Sequence, residues 1–308
     1  MNAIDTIFNS PDGRVRAGWR LLLQIVLSFI FLIPLQLLAG AIGGTQLQII
    51  AGGIAITMGV WVAGLILDKR PIRDFGLNMN AQWWREFGIG FALAAVVMTL
   101  IAGIQLAAGW IEFSGFGWER ASSRNFLVVL GAYILTMAVV GFYEELWTRG
   151  YQLKNLTEGF CYGGKRNRAG IIAIALTSIL FGVLHLGNPN ASMMGMIVIM
   201  LAGVALAIPY VVTGQLGMSV GLHFAWNVVQ GGFYGLPVSG IPFRQSVLQF
   251  DMMGPELWTG GRFGPEGGLL GLFGVLLMLA MTVAVLYRKG YSMSVSPEIT
   301  RPPSDRYT

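Results

Sequence analysis

The chain has 308 residues, 55% of them hydrophobic and 11% charged, with a mean hydropathy of +0.65. That balance describes a polytopic membrane protein and excludes an ordinary soluble or disordered chain. The net charge of +5 follows from membrane topology, as argued below, and no nucleic-acid partner is implied.

A membrane span needs about 20 predominantly apolar residues. Eight such segments are predicted, near 20–41, 47–67, 87–111, 125–147, 170–187, 193–213, 215–231 and 268–287. The expected fold is therefore all-α, a polytopic membrane protein with about eight transmembrane helices. Lysine and arginine test this count, because cytoplasmic loops concentrate them. Arg14, Arg16 and Arg20 precede the first helix. Lys69, Arg70, Arg73 and Arg85 follow the second, Arg149, Lys154, Lys165, Arg166 and Arg168 follow the fourth, and Arg288, Lys289, Arg301 and Arg306 follow the last. Only Arg120, Arg124, Arg244 and Arg262 fall in the other connections. The N- and C-termini are thus expected in the cytoplasm, in a bacterial-type plasma membrane, with the basic loops against anionic lipid headgroups.

A secretory signal peptide is the competing reading of the first apolar run, with Ala39-Gly40-Ala41 as its cleavage site. The run is longer than a typical signal core and suits a retained helix better. The single cysteine, Cys161, excludes an intramolecular disulfide and a cysteine-rich metal site. No internal repeat is evident. The expected organisation is a cytoplasmic arm over 1–19, one membrane domain over 20–290 with its motif core at 125–231, and a disordered cytoplasmic tail over 291–308. The connection at 155–169 reads as a flexible loop. The long Gly- and Pro-rich connection at 232–267 is expected on the outer face, partly folded back over the helices.

Ionisable residues at membrane depth mark functional sites, and three motifs place them there. Glu144-Glu145-Leu146-Trp147-Thr148-Arg149 ends the fourth helix. Adjacent helical residues point about 100° apart, so the two carboxylates do not share a face. Glu145 and Arg149 are spaced i,i+4 with the acid first, the favoured order for an ion pair. Glu144 lacks such a partner, and a carboxylate without a counter-ion in a poorly solvated site is suited to general-base work. The bland alternative is an interfacial salt bridge. Phe181-Gly182-Val183-Leu184-His185 stacks a ring on an imidazole one turn away; a neutral imidazole holds water, binds metal or donates to an oxyanion, or serves a structural role. His223-Phe224-Ala225-Trp226-Asn227 aims two hydrogen-bonding side chains at one point, as an oxyanion hole or an interhelical clamp requires. His185 and His223 are the only histidines in the chain.

Taken together, these motifs resemble the CPBP (Abi) intramembrane protease family, which includes the type II CAAX prenyl endopeptidases and the lysostaphin resistance protein A-like bacterial membrane proteins. Glu144, Glu145 and Arg149 fit its first motif, Phe181 and His185 the second, and His223 and Asn227 the last. Trp226 and the stretch Thr259-Gly260-Gly261-Arg262-Phe263-Gly264-Pro265-Glu266-Gly267 look like bacterial members as well. The resemblance implies an endopeptidase acting on a peptide bond of a membrane-associated protein or peptide, with CAAX-type processing. In that picture Glu144 and His185 activate a water, His223 and Asn227 stabilise the oxyanion, and Glu145, Arg149 and Phe181 support them. A cavity open to the cytoplasm is expected between helices four, five and seven. The cofactor requirement stays open between none and one divalent metal such as zinc, in which case Glu144, His185 and His223 would be its ligands. The helical zincin signature is absent. Two other readings stand beside it: a transporter with an internal proton relay, and a non-catalytic membrane partner such as a bacteriocin self-immunity factor or scaffold.

Overall fold

The computed structural model describes residues 7–10, 12–120, 125–243, 246–301 and 303; Arg124, Arg244 and Arg306 of the charge count lie outside them. Helices α1 (Ala17–Ile42) and α2 (Thr45–Ile66) pack as an antiparallel pair. The link between them is Gly43-Gly44, at φ +96° and +98°, a conformation that side chains with a Cβ resist. Most of α1 is exposed, Leu37 at 71% and Ile42 at 69% among its residues. Apolar exposure over a whole helix is what lipid contact demands.

Helix α3 (Ala81–Ala107) is capped by the Asn80 side chain, which accepts from Trp83 N–H. Strand β1 (Ile111–Phe116) pairs antiparallel with β2 (Leu248–Met252). Helix α4 (Phe126–Glu145) continues without a break through a π-wound stretch, Leu146–Leu153, and a last α-helical segment, Lys154–Phe160. Then come α5 (Arg166–Leu184), α6 (Met193–Thr213), α7 (Gly217–Asn227, continued by the π-wound Val228–Phe233) and α8 (Leu269–Arg288).

The fold is the all-α polytopic membrane protein expected. Among the described residues seven helices, α1 to α6 and α8, are long and apolar enough to cross a membrane. The expected span at 215–231 is α7 with its π continuation, which is shorter and runs inside the bundle. Of its α-helical residues only Phe224 escapes burial, so its apolar composition serves the core. Glycines let it sit there. A Cβ on Gly221 would lie 2.1 Å from the Phe87 carbonyl oxygen of α3, one on Gly217 2.4 Å from that of Trp83, and one on Gly90 of α3 2.3 Å from that of Met218. Small residues at such spacing let helix backbones approach closely.

The basic connections meet at one end of the bundle. Glu158 accepts from Arg14 (3.2 Å), Arg20 (3.1 Å) and Arg70 (2.5 Å), and Arg20 also reaches Asp68 at 2.7 Å. These residues come from the N-terminal arm, α1, the link after α2 and the end of α4. Glu158 therefore belongs to a buried charge network, and the flexible loop expected at 155–169 shrinks to the five residues between α4 and α5. The tail is also more ordered than expected. Lys154 Nζ donates to the Glu298 carbonyl at 2.6 Å, Val295 N–H donates to Asn167, and Val295 and Ile299 are buried. Residues 291–301 thus pack on the bundle; 302 and 304–308 lie outside the described residues.

The opposite end carries the β1–β2 pair and a Gly-rich segment, Thr259–Gly268, that folds back onto α6, α7 and α8. Gly264 (φ +100°) turns the chain there, where a Cβ would lie 2.0 Å from the Pro237 carbonyl oxygen.

Candidate active site

All seven motif residues come together inside the bundle. The imidazole of His223, on α7, is bracketed by the two consecutive glutamates of α4. Its Nδ1 lies 2.8 Å from Glu145 Oε1 and its Nε2 3.8 Å from Glu144 Oε2. The near-perpendicular directions of residues 144 and 145 are what allow one carboxylate to meet each ring nitrogen. Glu145 is fully buried and also accepts from Arg149 Nη1 at 2.9 Å. Being ion-paired, it accepts from His223 Nδ1–H, which leaves Nε2 of the neutral ring as the lone pair facing Glu144.

Arg149 is held from several sides. It donates to Thr148 Oγ1 (2.7 Å) and to the Gly203 carbonyl of α6 (3.1 Å), and its guanidinium carbon sits 4.4 Å over the Phe181 ring. Phe181 in turn meets His185 edge-on with centroids 4.7 Å apart and His223 at 6.0 Å and 88°. One aromatic ring therefore spaces the guanidinium and both imidazoles. His185 begins a 3-10 turn just past α5. Its Nδ1 lies 2.7 Å from the Phe181 carbonyl, an acceptor only, so Nδ1 donates and Nε2 is left free. The Glu144 carboxylate is 16% exposed. Oε1 accepts from Tyr143 OH at 3.2 Å, and Oε2 is buried with no hydrogen-bond partner. Asn227 uses its carbonyl to accept from Tyr133 OH at 3.2 Å and keeps its side-chain amide free of protein partners among the described residues.

Both glutamates and Asn227 stand where an α-helix turns π-wound: Glu145 directly precedes Leu146–Leu153, and Asn227 precedes Val228–Phe233. Single-turn π segments recur at functional sites because they re-aim side chains locally.

A cavity of about 50 Å³ adjoins this cluster, lined by His185, His223 and Asn227 together with apolar residues of α6 and α8, Ser239 and Glu266. It has room for a few ordered waters. The lining differs from the expectation in two ways: α4 contributes none of it, and the loop residues that do come from the end opposite the basic connections. The reason is geometric, since Glu145, Arg149 and His223 fill the space where α4 faces α7.

Residues 126–229 match the family model for type II CAAX prenyl endopeptidase Rce1-like proteins. Through this segment the chain is similar to that family. The matched Rce1-like segment begins with α4 and ends just past Asn227, so it contains every motif residue above. No curated protein and no solved structure matches the chain. With its long apolar helices the chain is an integral membrane protein, and its 126–229 segment is similar to CAAX-type proteases.

Among the described residues no three His, Cys, Asp or Glu side chains are gathered as a metal would need. His223 Nδ1 is committed to Glu145 and His185 Nδ1 to a carbonyl, so each histidine has only its Nε2 to offer a ligand. Motif spacing missed three participants. Tyr143, Tyr133 and Glu266 sit on the same cluster or cavity, and only their packing reveals it.

Proposed function

We propose that this protein is an intramembrane endopeptidase that hydrolyses a peptide bond of a membrane-associated protein or peptide, with Glu144 as the general base. The observation that carries the reading is the carboxylate oxygen of Glu144, buried, unpartnered and 3.8 Å from a histidine nitrogen that a second glutamate orients. A water between Glu144 Oε2 and His223 Nε2 gives its proton to Glu144 and attacks the carbonyl carbon. Asn227 Nδ2–H is the donor available to the oxyanion in every protonation state. His223 joins it only as imidazolium, because its neutral form spends its N–H on Glu145. This refines the oxyanion role expected for the pair. His185, which lines the same cavity, holds a further water through Nε2.

The proposed mechanism routes no step through a metal. A chelator is expected to leave activity unchanged, and loss of activity restored by zinc would reinstate the metal reading. Processing of a prenylated CAAX-type substrate belongs to this proposal through the family's description. In topology, we propose that the end carrying Arg14, Arg70, Glu158 and the tail faces the cytoplasm.

The test compares the N- and C-termini of membrane proteins in host cells expressing wild type or Glu144→Gln at matched levels. New termini that require Glu144 support the reading and name the substrate. Matching profiles from a wild type and a variant that are both folded would instead favour a scaffold or immunity role.

A further inference from the structure

Glu266 is the one acidic residue of the Gly-rich segment that enters the cavity, and motif reasoning gives it no task. The chain builds an arrangement around it. Gly260 (φ +75°) lies so close to the Gly264 carbonyl that a Cβ would come within 1.7 Å of it, and a Cβ on Gly271 of α8 would lie 2.0 Å from the Pro265 carbonyl oxygen. These glycines seat Pro265–Gly267 against the bundle and turn the Glu266 side chain inward, where the residue is 5% exposed. Trp226 Nε1–H donates to Oε1 at 3.3 Å and Gln230 Nε2–H to Oε2 at 2.6 Å. Gln230 is itself fixed by donating to the Pro237 carbonyl at 2.5 Å.

No cation pairs with this carboxyl among the described residues. His223 and Asn227 share its cavity from α7 and His185 from just past α5, while the lining residues of α6 and α8 are all apolar. Tyr133 of α4 is the other titratable side chain within electrostatic reach. An apolar surround favours the neutral acid. The two N–H donors favour the anion. A carboxyl held between these opposing influences can carry a proton, release it, and remain stable afterwards.

We propose that Glu266 is the proton donor to the amine nitrogen leaving the scissile peptide, the acid partner of Glu144. This rests on the endopeptidase reading above. The step balances. Water forms the new C–O bond and its proton passes to Glu144; the C–N bond breaks as the nitrogen takes the Glu266 proton. Glu144 then releases its proton to solvent water and Glu266 takes one up from it, restoring both groups.

The sign of the pH effect follows. Burial pushes the Glu266 carboxyl up to about 7, against the pull of hydrogen bonds from Gln230, its own backbone, Trp226 and the Ser239 backbone. A proton donor works while protonated, so kcat falls as pH rises through that value.

The experiment measures pH profiles of kcat in proteoliposomes, using the substrate identified by its Glu144-dependent termini. Glu266→Gln is expected to lower kcat about 10²-fold and to remove the alkaline limb. Trp226→Phe deletes a hydrogen bond to the anion, so it should move that limb to higher pH while cleavage continues. A Glu266→Gln profile that keeps the alkaline limb, at full or reduced rate, would overturn the proposal and leave a structural role. Absence of Glu144-dependent cleavage by wild type would bring down the endopeptidase reading itself, a result distinct from either.

Discussion

Glu144 and Glu145 are identical side chains at neighbouring positions, and their surroundings give them different tasks. Glu145 has both an arginine and a histidine on one oxygen, so it orients and neutralises. Each keeps one buried oxygen without a hydrogen-bond partner, but that of Glu144 belongs to a carboxylate with no arginine on it and faces His223 Nε2 at 3.8 Å. That split was legible in the sequence from the i,i+4 relation to Arg149. The bond from His223 to Glu145 was not, because it joins residues 78 positions apart. Two predictions belong to this scale. Glu144→Gln keeps the size of the side chain and breaks no ion pair; it should abolish cleavage, a loss of about 10²-fold or more, while thermal unfolding of the purified protein stays close to wild type. Arg149→Ala strands Glu145 as a buried, uncompensated charge and should cost about 3–5 kcal/mol. It should appear as a clear fall in unfolding temperature together with inactivity. Unchanged unfolding in Arg149→Ala would remove the argument for a buried orienting network.

Among the elements, α7 is the one whose burial inside the bundle was not legible. Its apolar run looks like a span, yet hydropathy does not separate burial against protein from burial in lipid. The glycines that distinguish the two cases act only against the backbone of α3. A methyl on Gly221 would meet the Phe87 carbonyl and push α7 away from α3, moving His223, two residues on, off the glutamates. Gly221→Ala should therefore cut cleavage at least as strongly as it reduces stability, whereas Gly103→Ala, where a Cβ meets nothing, should be silent. Equal activity of the two variants would argue against close α3–α7 approach as the positioning device. The Gly-rich segment before α8 was expected to fold back in part. Its composition could not show that it delivers Glu266 to the cavity, because positive φ and inward direction are properties of the turn.

At the scale of the molecule, the alternation of basic connections correctly anticipated that the arm, the α2–α3 link, the end of α4 and the tail would gather at one end. It could not foresee that Arg14, Arg20, Arg70 and Glu158 would lock them into a buried network, nor that the tail would pack on Lys154. Cys161 lies at this end, just past α4, and is partly exposed. With the proposed orientation, a membrane-impermeant maleimide should label it in inverted vesicles and not in intact cells. Labelling in intact cells would reverse the topology.

The central claim is that Glu144 drives hydrolysis by water inside the membrane bundle. Its most direct test is to incubate the reconstituted protein with its substrate in heavy-oxygen water and analyse the new C-terminus by mass spectrometry. Wild type is expected to put one heavy oxygen in the new carboxylate, with or without chelator, and Glu144→Gln to give no product. Product of the same yield and isotopic content from Glu144→Gln would contradict it.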